Sequence, residues 1–104
     1  MCLIADLCAL GDSTMEQGLS SVYNKKGKRK VEKGIAFPTC VSVNEICGHY
    51  SPLGDESRKL NSGDLVKIDL GCHIDGYATV VGTTLTCNPT EEISGKRGDV
   101  ALAA

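Results

Sequence analysis

The sequence predicts an α/β (α+β) fold: a β-hairpin within a mixed sheet, flanked by helices. Three observations carry that prediction. Val66, Ile68 and Leu70 alternate with Leu65, Lys67 and Asp69, the two-residue period of a strand with one apolar face. Tyr77 to Thr86 is rich in β-branched residues and free of charge, and an Asp75-Gly76 corner joins it to the first run. The opening segment carries apolar residues at helical spacing, and Ser94 can cap a helix at the other end.

Taken in order, the opening segment places Leu3, Ile4, Leu7 and Leu10 on one stripe with Gly11 as a C-terminal stop, so the chain starts inside a helix without a cap. Met15, Leu19 and Val22 then suggest a second helix within Gly11 to Asn24. Gly34 to Cys47 reads as a strand entered through Phe37-Pro38, and Pro38 confines it to a sheet edge or to the strand start. Gly48 to Pro52 is a loop, and Leu53 to Gly63 a polar connection into the hairpin. After the hairpin, Asn88-Pro89 is a stop signal, and Ser94 caps a last helix through Asp99 to Ala104. A helix that short is marginal in isolation, which points to its completion beyond Ala104.

Composition suits a piece of a larger α/β protein as well as a self-sufficient unit. The chain has 104 residues, 41% of them hydrophobic, but only one Phe, three Tyr and no Trp, leaving Leu, Ile, Val and Ala to fill the interior. The apolar start carries Asp6 and lacks both a basic leader and a small-residue cleavage site, so no secretory or membrane-spanning segment is expected. The six cysteines, at positions 2, 8, 40, 47, 72 and 87, form no Cys-x-x-Cys pair and no zinc spacing with histidine. They read as reduced, cytosolic, mostly buried thiols without disulfides.

Charge is concentrated. Residues 25–33 (Lys-Lys-Gly-Lys-Arg-Lys-Val-Glu-Lys) hold six of the eleven basic residues against one acid, in a chain of formal net charge −2. Such asymmetry suits a polyanion, with Lys25, Lys26, Lys28, Arg29, Lys30 and Lys33 as candidate nucleic-acid contacts; a solvated loop ahead of a strand has the same composition. No aromatic residue is interleaved, so phosphate contacts are expected and base stacking is not.

Asp69 poses the functional question. A carboxylate is a poor strand former and costly to bury unpaired, so its place in an apolar strand implies a metal, a cation or solvent. A metal would need further ligands from the returning strand, because divalent ions are held by several anionic or imidazole donors. Residues 77–90 contain no Asp, Glu or His, and Cys87 is their one thiol. His49, on a Gly-His-Tyr loop, reads by itself as an ordinary surface or hydrogen-bonding residue.

The strings Gly34-Ile-Ala-Phe-Pro-Thr-Cys-Val-Ser-Val-Asn44, Gly48-His-Tyr-Ser-Pro52 and Gly63-Asp-Leu-Val-Lys-Ile-Asp-Leu-Gly-Cys-His-Ile-Asp-Gly76 resemble the type 2 methionine aminopeptidases and their non-enzymatic relatives. Leu10-Gly-Asp12, the basic run and Ile93 to Val100 extend the resemblance over essentially the whole chain, and it is strongest to the proliferation-associated, ErbB-receptor-binding protein family. The resemblance implies a partial pita-bread (creatinase/aminopeptidase-like) fold, with residues 1–104 forming an incomplete domain, part of its first half. In the enzymes of that lineage a dinuclear metal centre takes two aspartates from a hairpin, plus one His and two Glu from later in the chain. Asp69 matches the first aspartate, Val80 stands at the second, and His49 matches a substrate-positioning histidine, so Asp69 and His49 are implied to be vestigial.

With a bridging ligand replaced by an aliphatic side chain, neither aminopeptidase activity nor a metal cofactor is expected. The implied role is a non-catalytic binding protein of cytoplasm and nucleus or nucleolus, regulating growth and translation through RNA, ribosome and protein partners. The alternative is a fragment of an active metalloaminopeptidase with Asp75 as the second carboxylate, although Asp suits that corner for turn geometry alone.

Overall fold

The computed structural model describes residues 2–25, 27, 29–55, 58–87 and 94–104. Its elements are helix α1 (Ile4–Ser20), strands β1 (Lys33–Val43), β2 (Leu65–Ile74) and β3 (Tyr77–Thr86), and helix α2 (Gly95–Ala103). The strands form one antiparallel sheet in the order β1-β2-β3, with α1 packed on β1.

Helix α1 runs through Gly11, where the sequence places a stop, and one helix replaces the expected two. Packing explains the glycine. A Cβ at position 11 would come within 2.6 Å of Thr39 Cγ2, so a bare α-carbon lets the helix approach β1. The next residue fastens the same contact, Asp12 Oδ1 accepting the Thr39 N–H at 2.8 Å. That N–H is free because β1 is irregular here: its register against β2 shifts between Ile35 and Phe37 and again between Phe37 and Cys40, around Pro38. Pro38 lies on an edge strand, as its missing donor requires.

The start of α1 also has a partner that sequence could not supply. Its N-cap residue Leu3 offers no side-chain cap, but the Arg58 carbonyl accepts the Ile4 N–H at 2.9 Å, and the Leu60 N–H reaches the Cys2 carbonyl at 3.0 Å. The far helix differs from expectation in another way: Ser94 stands at the N-cap of α2 without making a side-chain cap bond, and no residue of α2 is buried. The Asn88-Pro89 stop lies outside the described residues.

The core is small. Ile4 and Cys8 of α1 meet Val41, Val43 and Val66 of the sheet, with Leu7, Tyr50, Leu60, Ile68 and Cys87 packed against them. This is the apolar face that the alternation in β2 predicts. The thiols are less buried than expected: Cys8 and Cys40 are buried, Cys72 and Cys87 half-buried, and Cys2 and Cys47 exposed. Among the described residues no helix is long and apolar enough to cross a membrane.

Candidate functional site

The sheet face opposite the core carries Asp69. Register places Cys40 of β1 on one side of Asp69 and Gly82 of β3 on the other, while Val80 pairs with Gly71 one step along the same face. Gly71 is required there, since a Cβ would stand 2.6 Å from Phe37 Cε1 and 2.9 Å from Val80 Cγ1. Phe37, Val80, Val81 and Gly82, with His49 and Asp69, line an open cavity of about 480 Å³. One carboxylate oxygen of Asp69, Oδ1, is buried without a hydrogen-bond partner. Beside it the Cys40 thiol is pushed up, first by burial and then by the Asp69 charge.

His49 reaches this cavity through a strained loop. Its φ of 61° lies in the left-handed region that non-glycine residues seldom occupy. The following residue locks the loop to β1: the Val41 N–H donates to the Tyr50 carbonyl at 2.9 Å, and the Tyr50 N–H donates to Ser42 Oγ at 3.2 Å. His49 and Asp69, distant in sequence, thus line one cavity.

Asp75 is elsewhere. It sits at the hairpin corner with φ 54°, followed by Gly76 at φ 83°, the left-handed pair of a tight two-residue turn. Six residue steps at about 3.3 Å each separate it from Asp69, roughly 20 Å. Its carboxylate pairs with Arg29, and its N–H donates to the Glu32 carbonyl at 2.6 Å. Asp75 therefore does not supply the second carboxylate beside Asp69 that the alternative reading assigns to it.

The basic segment folds back along this corner. Lys25, Arg29 and Lys30 are exposed, whereas Lys26 and Lys28 lie outside the described residues. Lys33 differs from the surface role expected of it: its ammonium donates to the Leu19 and Val22 carbonyls near the end of α1 and to Asn24 Oδ1 at 2.8 Å. Those acceptors use all of its donors, so Lys33 serves as a C-terminal helix clamp. A larger cavity, about 660 Å³, opens between this segment and the corner, with Tyr23, Lys25, Val31 and Tyr77 among its walls. Sequence reasoning missed the two tyrosines, because nothing local links residue 23 to residue 77.

Residues 5–102 match the family described as metallopeptidase family M24. The chain belongs to that family. It is 48% identical over 101 residues to ErbB-3 binding protein 1 of Arabidopsis thaliana, a match spanning 97% of this chain and 25% of that protein. It is also 48% identical over 104 residues to proliferation-associated protein A of Dictyostelium discoideum, spanning 98% of this chain and 26% of the relative. The solved structure of a thermophilic Arx1 superposes with a TM-score of 0.82 at 35% identity, covering 98% of this chain and 28% of that one. The chain thus spans about a quarter of the length of these M24 relatives, and its architecture is part of a pita-bread fold.

M24 membership raises the question of a metal pair, and the donor set speaks against one here. Positions 69 and 80 are diagonal neighbours on one face of a hairpin, a separation of about 7–8 Å that two carboxylates could bridge through cations. Position 80 offers only the methyl groups of valine, and Gly82, directly across from Asp69, offers none. Among the described residues no three His, Cys, Asp or Glu side chains come together as a metal-binding group. The described residues of this chain supply one carboxylate of such a centre, Asp69, and do not fit the hairpin pair it needs.

Proposed function

We propose that this M24 chain is a non-catalytic, aminopeptidase-like binding protein that associates with RNA or the ribosome through residues 25–33. Its role is regulation of growth and translation, in cytoplasm and nucleus or nucleolus, with protein partners as well. One observation supports the loss of catalysis above all: Val80 lies against Gly71 in the Asp69 cavity, where a bridging carboxylate would be needed. Metal-assisted hydrolysis depends on a water held and acidified by cations, and Asp69 with His49 supplies too few donors to hold them.

The binding half of the reading draws on Lys25, Arg29 and Lys30, exposed along one edge of the hairpin. Flexible cations of this kind contact phosphates without reading bases. Two measurements test the reading. With cobalt or manganese added, a full-length form that carries this chain is expected to release no methionine from a short peptide above a metal-free control, and turnover would overturn the non-catalytic assignment. Replacing Lys25, Lys26, Lys28, Arg29 and Lys30 by Ala is expected to weaken RNA or ribosome association and flatten its salt dependence. Pull-down unchanged by either the substitutions or salt would exclude the segment as the binding surface.

A further inference from the structure

The cavity beside the basic segment has a composition that phosphate binding alone does not explain. Its floor is apolar, from Val31, Ile74 and Ala78, and its rim carries two aromatic rings, with Tyr23 64% exposed and Tyr77 83% exposed. Exposed tyrosines at a concave apolar site offer flat surfaces for a flat ligand. Lys25 stands on the same wall, and Val31 also borders a neighbouring cavity of about 650 Å³ walled by Lys30 and His73. Among the described residues two acids border the site: Asp75, paired with Arg29, and the exposed Glu32, which walls the neighbouring cavity beside Lys30.

We infer that this cavity takes a base of single-stranded nucleic acid, stacked on Tyr23 and Tyr77, with the adjoining phosphates beside Lys25 and Lys30. The inference rests on the proposed phosphate-binding role of residues 25–33 and adds to it the element that lets the site choose strandedness. A duplex keeps its bases stacked inside and exposes only edges and backbone, so it reaches the lysines but not the rings. A single strand can turn a base outward onto an aromatic face, and every base has such a face, so the site accepts many sequences. An acidic peptide would satisfy the lysines and leave the tyrosines idle.

The fold creates this arrangement. Tyr23 follows α1 with a left-handed φ of 48°, and Tyr77 opens β3 directly after the corner. The Arg29–Asp75 ion pair and the bond from the Asp75 N–H to the Glu32 carbonyl bring the two segments together. The sequence showed a basic run without aromatics, whereas folding delivers them from either side.

Fluorescence anisotropy on the 104-residue chain tests the inference, using a labelled oligouridylate, a labelled RNA duplex of equal length and a labelled poly-glutamate peptide. Tyr77→Ala and Tyr23→Ala are each expected to weaken oligouridylate binding about 5- to 150-fold, the range for one stacked base, and to leave duplex binding and the salt slope unchanged. Tyr77→Phe keeps the ring and is expected to bind as the parent does, which separates stacking from loss of fold. Alanine variants that bind oligouridylate as tightly as the parent, while Lys25→Ala with Lys30→Ala loses binding, would sink the stacking site and leave the phosphate reading standing. Equal weakening toward single strand and duplex, or tighter binding of poly-glutamate than of oligouridylate, would also overturn it. If the parent binds neither RNA even at low salt, both readings fall together.

Discussion

At the scale of a residue, the proposed loss of catalysis turns on Val80. The hairpin that carries it is intact, and Val80 stands diagonal to Asp69 on one face, at the position where the proposed reading needs a second carboxylate. Restoring the carboxylate with Val80→Asp should set two like charges on one face, costing about 0.2–1 kcal/mol without a cation. Manganese should then relieve that repulsion. We expect the melting temperature of the variant to fall in chelator and to rise with added manganese, while the parent chain is indifferent to both. A parent chain that responds to manganese as strongly as the variant would show that residue 80 is not what decides cation binding.

At the scale of the element, α1 owes its docking to Gly11 and Asp12, adjacent residues with opposite tasks. One removes atoms so that the helix can approach, and the other adds an acceptor for the Thr39 N–H that the β1 irregularity releases. Gly11→Ala distinguishes this account from a helix stop or an idle glycine by its sign. In an unpacked helix interior the substitution stabilises by about 0.5–1 kcal/mol through propensity. Against buried Thr39, overpacking of about 1–3 kcal/mol opposes that gain, so a net loss in chemical denaturation is expected, and a gain would refute the close approach.

For the whole molecule, the balance between core and surface is the governing quantity. The buried cluster is confined to α1, β1 and the start of β2, while Tyr77, Val80, Val81 and Leu85 of β3 are exposed. A long, uncharged, β-branched strand at a sheet edge is a template for pairing with another chain. Val81→Lys, on an exposed position of that strand, should therefore raise solubility and lower concentration-dependent light scattering with little change in unfolding midpoint. Scattering that is unaltered would mean that the β3 edge does not govern self-association.

How much of this was legible depended on the range of the interactions involved. The hairpin, its Asp75-Gly76 corner, the apolar face of β2 and the edge position of Pro38 follow from local periodicity and backbone chemistry, and the structure repeats them. The pairing of position 69 with position 80 came from the family resemblance, and the hairpin register sets the two on one face. Gly11 was misread because a glycine that ends a helix and one that admits a neighbouring strand look alike until Thr39 is in place. Lys33 was misread in the same way, since its helix carbonyl partners are brought to it only when β1 packs beside α1. Local sequence by itself determined which segments become strands and that the returning strand carries no carboxylate; the tertiary structure alone decided that Tyr23, Lys25 and Tyr77 share a cavity, because contacts between distant segments arise from packing and leave no periodic trace in the chain.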